Sequence, residues 1–208
     1  MAALKEWAIV CKALEEGRQV LLLRKGGIIE YRQGFEIKHN KFLLFPTFEH
    51  QSREYIQPDY INNFDIILQH HLSCPDPPTP NSGRNKLTSY AKVIDVKEVN
   101  DKSIIQKLEK YHIWNDRYVN LRMNYNPKKP INVLLLRVYK MNNPLEIDVR
   151  REWAGCRSWI SIEFPQMTSS SARDNDFLLD LPSVHQEQPV IENLKFNQIA
   201  AEIKEVLN

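Results

Sequence analysis

The sequence predicts an α+β fold, built on a curved, mostly antiparallel sheet or partial barrel with surrounding helices and a C-terminal helix. Three observations predict it. Short apolar runs bounded by turn residues, such as Val20–Leu23, Phe42–Phe45 and Val133–Tyr139, read as buried strands. Segments with apolar residues at three- and four-residue steps alternate with those runs. A chain of 208 residues with 42% apolar and 26% charged positions is long enough for one sizeable core.

Residues 2–16 carry Leu4, Trp7, Ala8, Cys11 and Leu14 at helical spacing, with Gly17 as the stop. Val20–Leu23 then reads as a buried strand, Gly26-Gly27 as a tight turn and Ile28–Arg32 as the returning strand. Phe35–His39 alternates like a half-exposed strand, and Phe42–Phe45 ends at Pro46-Thr47. Together these suggest an antiparallel meander. Tyr60, Ile61, Phe64, Ile67 and Leu68 place a helix within 52–72. Residues 75–83 hold four prolines and form a surface loop. Tyr90–Val99 alternates as a strand, Asp101 caps a helix reaching about His112, and Asn115 or Asp116 caps another reaching about Met123. Val133–Tyr139 and Arg157–Phe164 complete the sheet. Residues 1–164 are thus expected to form one domain, 165–188 a polar linker and 189–208 a helix carrying Ile191, Leu194, Ile199, Ile203 and Val206 on its stripe.

No run approaches the roughly 18 apolar residues of a membrane span. Met1–Trp7 lacks the basic and apolar regions of a signal peptide, so a cytoplasmic location without membrane partners is expected. Three cysteines, Cys11, Cys74 and Cys156, without CxxC spacing argue against a disulfide framework and a zinc ribbon. Cys11 falls on an apolar stripe and reads as a small buried hydrophobe.

The net charge of +2 hides an asymmetry: eight acids against three bases from Glu163 onward give −5 there and leave about +7 for the rest. Between Arg117 and Lys140 stand six basic residues and no acid, with Tyr118, Tyr125 and Tyr139 interleaved. Cations neutralise phosphates and aromatic faces accept stacked bases, so this mixture suits a nucleic-acid surface. Interleaving along the chain does not itself put side chains on one face. Arg24, Lys25, Lys128, Lys129 and Arg137 are the candidate phosphate contacts. His50, Gln51, Arg157 and Trp159 are the candidates for a more specific pocket, since loops beyond strand ends carry functional groups on a rigid scaffold. The two pairs Arg24-Lys25 and His50-Gln51 are expected on one edge of the sheet, facing 117–140.

Two other readings compete. Glu30, Glu36 and Lys38 superficially supply the acids and lysine of a Mg²⁺-dependent nuclease, although Glu36 and Lys38 also fit the exposed face of a strand. The acidic C-terminal segment and its helix alternatively suit a protein partner. Dinucleotide, P-loop, serine-elbow and zincin motifs are missing from the sequence. His70 and His71 project differently from a helix and do not by themselves make a metal site. No cofactor is expected outside the nuclease reading.

LKEW from Leu4, LLLRKGGI from Leu21, FLLFPTFEHQ from Phe42, YHIW from Tyr111, VLLLRVYK from Val133 and GCRSW from Gly155 resemble an uncharacterised bacterial family, the domain of unknown function 1802. The resemblance spans residues 4–159 and implies no catalytic residue. A suggested association of that family with restriction–modification systems implies DNA or RNA as partner. The order of elements also resembles PUA and ASCH domains, which bind RNA or modified bases, with a restriction-endonuclease-like core as the competing fold.

Overall fold

The computed structural model describes residues 1–25, 36–155, 157–163 and 188–208. Strands are β1 (Ala2–Trp7), β2 (Leu21–Arg24), β3 (Lys41–Thr47), β4 (Arg84–Val99), β5 (Ile131–Asp148), β6 (Trp159–Ser161) and β7 (Gln188–Pro189). Helices are α1 (Ala8–Glu15), α2 (Ile61–Leu72), α3 (Lys102–Lys107), α4 (Asp116–Asn124) and α5 (Asn193–Leu207). The result is a mixed α+β fold on an open, mostly antiparallel sheet with a C-terminal helix. Its order is β2-β5-β4-β3-β1-β6, with β7 beside β5. All pairings are antiparallel except β1 with β3.

This order corrects the meander. β2 and β3 are not neighbours, because β2 pairs with β5 while β3 lies between β4 and β1. The turn at Gly26-Gly27 and the strand at Ile28–Arg32 lie outside the described residues. Glu36 to His39 is connecting chain rather than strand. A second correction concerns the N-terminus, where helical spacing gives way to β1 over Ala2–Trp7 and the helix begins only at Ala8. The cause is tertiary: β1 is sandwiched between β3 and β6, so both sides of its backbone are hydrogen-bonded, which outweighs local propensity. The last strand of the body covers only three of the expected residues, Trp159 to Ser161.

β4 and β5 form the long ribbon at the centre, running in register from Arg84↔Asp148 to Val99↔Ile131 with shifts at Leu87/Ser89 and Val93/Asp95. Such irregularities increase twist and bend a sheet. Bending brings the ends of β1 and β2 together although three strands separate them: the Glu6 and Arg24 side chains meet at 3.0 Å. Leu21, Leu22, Leu23, Leu134 and Leu135 from the sheet pack with Ile9, Val10 and Leu14 of α1 and with Trp114, all of them buried, in the main core. Gly17, at φ +70°, closes α1, with Ile191 packed against the space a side chain would need. Helix α5 buries Phe196, Ala200 and Ile203 in the same core, whereas Leu194, expected on its apolar stripe, is exposed. Among the described residues no helix is long and apolar enough to cross a membrane.

Candidate nucleic-acid interface

Where the curled sheet brings β1 towards β2, a cleft of about 440 Å³ opens. Strand β1 supplies Lys5, Glu6 and Trp7, and the end of β2 supplies Arg24. Thr47, Glu49 and His50 come from the end of β3 and the loop beyond it, Tyr118, Leu121 and Arg122 from α4, and Arg157 and Ser158 from the approach to β6.

Asn115 builds the aromatic wall. Its side-chain oxygen caps α4 by accepting from the Arg117 and Tyr118 N–H groups, and its amide donates to the Glu54 and Ile56 carbonyls. One residue therefore locks the start of α4 onto the turn at 53–55. Tyr55 and Tyr118 are thereby set 6.0 Å apart, with Trp7 5.4 Å from Tyr118 and 6.3 Å from Tyr55. Behind them Tyr118 stacks on buried Trp114 at 4.9 Å. Rings packed this way hold their positions without a ligand.

The charges divide into two kinds. Glu6, buried, accepts from Arg24 Nη1 and from the Trp7 N–H at 2.9 Å, so Arg24 is neutralised on the cleft floor. Lys25, next in the chain, lies just past the end of β2. The residue is 3% exposed, and its ammonium donates to the Met123 carbonyl at the end of α4, a favourable place for a cation. Burial first, and then the Arg122 guanidinium, push its pKa below the usual lysine range. Lys25 therefore positions α4 rather than meeting phosphate. By contrast Arg122, over the Tyr125 ring at 5.7 Å, has a buried Nε with no hydrogen-bond partner among the described residues. Arg157 is exposed and makes no ion pair among them.

Of the other sequence candidates, His50 lines the cleft from a left-handed backbone at φ 61°. Gln51 turns its oxygen to the Ile9 N–H of α1 at 3.5 Å and so serves that helix start. Trp159 donates its indole N–H to the Glu36 carbonyl at 3.0 Å and packs edge-on against Phe42, outside the cleft lining. Lys128 and Lys129 stand on the turn between α4 and β5, also outside it. Arg137 is closed off: 5% exposed, it donates to Asn193 Oδ1 at 2.7 Å and lies 4.3 Å from the centre of the Phe196 ring. Its assignment as a phosphate contact is corrected, because α5 covers it. Glu30 and Cys156 lie outside the described residues. Glu36 and Lys38 are exposed on connecting chain, not on adjacent strands. Among the described residues no group of three or more His, Cys, Asp or Glu is placed to hold a metal.

Of the sequence candidates, Arg24, His50 and Arg157 line this cleft, and they are joined there by Lys5, Glu6, Trp7, Tyr55, Tyr118 and Arg122, which the sequence does not single out as a group. Tyr118 and Arg122 belong to the acid-free stretch already noted, whereas Trp7 was hidden by its helical spacing.

A family model described as domain of unknown function (DUF1802) matches residues 3–177. The chain belongs to this family. No curated protein matches the chain in sequence. Among solved structures, a crystal structure of a mutant of ZmASCH from Zymomonas mobilis is similar at TM-score 0.43 and 8% identity, covering 78% of this chain and 87% of that one.

Proposed function

We propose that the protein binds nucleic acid, taking an unstacked nucleotide of a single-stranded or distorted segment into the cleft between β1, β2 and α4. One observation carries this reading: Trp7, Tyr55 and Tyr118 form an aromatic wall beside Arg122 and Arg157, whose guanidinium groups make no ion pair among the described residues. A ring stacks on the wall while the guanidinium groups meet the phosphate, the combination that sequence-tolerant single-strand binding uses. Stacking and phosphate contacts do not distinguish the sugars, so DNA and RNA both fit. The family's suggested link to restriction–modification favours DNA.

Titration of the full chain with fluorescent single-stranded DNA, single-stranded RNA and duplex tests the reading. Binding to single strands at low ionic strength, weakening linearly in log[salt], is expected, with Tyr55→Ala reducing affinity about tenfold. Absence of salt-dependent binding to all three overturns it.

A further inference from the structure

A trough of about 410 Å³ runs between α5 and the strands β4 and β5, and it shares no lining residue with the cleft. We propose that it docks an acidic segment of a partner protein, with an apolar side chain seated on its floor and carboxylates against its cations.

The floor begins with an irregularity in the sheet. Val93 pairs with Leu136 and Asp95 with Leu135, so Ile94 is an extra residue in β4 with no partner across the ribbon. A bulge of this kind re-aims its side chain. Ile94 accordingly stands 42% exposed although it is apolar. From the other side of the trough α5 contributes Ala200 and Ala201, and two consecutive alanines leave a recess that longer side chains would close. Phe196 and Tyr139 extend the apolar lining.

The charge of the trough has one sign. Among the described residues no carboxylate belongs to the lining, whereas Arg137 and Lys204 do. Arg137 is closed off from solvent, but its charge stays in the wall: Nη2 is bound by the neutral Asn193 carboxamide, and Nη1 has no hydrogen-bond partner among the described residues. An uncompensated buried charge acts through space without direct contact, and it is screened less than an exposed one. Lys204 is exposed and makes no ion pair among the described residues. Of the acids on the same elements, Asp95 accepts from the Val96 N–H, Glu202 is held by Lys110 and Tyr111, and Glu192 and Glu205 lie outside the lining.

The neutral polar groups favour a peptide over a phosphate backbone. Asn193, Asn197, Ala201 and Lys204 recur at steps of three and four residues and so share one face of α5. The Asn197 carboxamide makes no side-chain hydrogen bond among the described residues and offers both a donor and an acceptor. A peptide backbone uses both, whereas phosphodiester oxygens only accept. The apolar recess likewise suits a Leu, Ile or Phe side chain and gives a phosphate nothing to meet.

The test is an NMR titration of the full chain with the peptides Glu-Asp-X-Asp-Glu, where X is Leu, Ile or Phe. At least one is expected to shift the amide signals of Asn197, Ala201 and Lys204. It should bind about tenfold more tightly than its uncharged counterpart Gln-Asn-X-Asn-Gln, and about tenfold more tightly than Glu-Asp-Ser-Asp-Glu. Lys204→Glu reverses the exposed charge and Ala201→Trp fills the recess from an exposed position; each should weaken binding about tenfold and leave single-strand affinity unchanged. The proposal is overturned if no peptide of the panel shifts those signals, or if shifts are confined to cleft residues such as Tyr118 and Arg122. Binding that survives in both folded variants overturns it as well, and so does equal affinity for the Ser peptide, which would leave the recess without a role. If Lys204→Glu lowers affinity for single-stranded DNA while peptide binding is unaffected, the trough belongs to a nucleic-acid path and the peptide assignment falls.

Discussion

Arg122 and Arg137 come from the same acid-free basic stretch, yet one borders an open cleft and the other is sealed beneath a helix. Both guanidinium groups lie over an aromatic ring, Tyr125 for Arg122 and Phe196 for Arg137. The difference is what closes around them. Arg137 sits in the central strand β5, where α5 buries it and Asn193 binds it. Arg122 sits on α4, next to the exposed Leu121, at the mouth of the curled sheet. A cation beside an aromatic residue is therefore a packing device in one place and a binding surface in the other. The side chains that are internally bound should govern stability, and those at the mouth should govern binding.

The largest expected effect tests the internal side of this division. Glu6→Ala leaves Arg24 at the cleft floor without its partner, and breaking a buried pair from one side costs about 3–5 kcal/mol. Urea unfolding of the variant measures it. A cost below about 1 kcal/mol would instead move Arg24 into the group of available cations.

His112 supplies the next effect. It is 1% exposed, and burial pushes its pKa down to about 4. The unfolded chain, with an ordinary histidine pKa of about 6.5, takes up the proton first. Stability from the neutral ring is therefore complete above pH about 6.5 and is lost as the pH falls towards about 4, by about 3 kcal/mol. His112→Phe has no proton to gain there. Its stability relative to wild type, followed by denaturation from pH 7 to 4, should rise by about that amount as the pH falls. A flat difference would contradict a neutral buried imidazole.

Arg137→Ala follows, at about 2 kcal/mol for a charged hydrogen bond and a ring contact under α5. Its nucleic-acid affinity should match wild type. A drop in affinity with unchanged stability would reverse the roles given to Arg137 and Arg122.

What the sequence made legible follows from how local each signal is. Asp101 and Asn115 were readable as caps because the hydrogen bonds they make are to the next two or three residues, and both bonds are present. Parts of β4 and β5, Tyr90–Val99 and Val133–Tyr139, were readable from their local apolar patterns, whereas the stripe expected for α5 included Leu194, which is exposed, and left out Phe196 and Ala200, which are buried. β1 was not readable, since its partners β3 and β6 are distant in the chain and its spacing also fits a helix. The same distance hid the site. Arg24 and Lys25 look equivalent in sequence, but Arg24 ends β2 and pairs with Glu6, while Lys25, past the strand, donates to the Met123 carbonyl. No pattern within 117–140 reveals that α5 returns to cover Arg137 and leaves Arg122 half-buried at the cleft.

The smallest effects on stability should come from the two side chains on which the proposed binding depends most. Neither Arg122 nor Arg157 makes an ion pair among the described residues, so Arg122→Ala and Arg157→Ala are each expected to change unfolding free energy by no more than about 0.5 kcal/mol. Each should nevertheless lower single-strand affinity and reduce the slope of log affinity against log[salt] by about 0.7, the contribution of one phosphate contact on a single strand. The double variant should lose about twice that slope, because separate phosphate contacts add. Lys128→Ala, on a turn outside the lining, is the control and should leave the slope unchanged. If the Lys128 variant changes the slope as much as the arginine variants do, the cations act as a diffuse basic surface, and the division between mouth and interior does not describe how the protein binds.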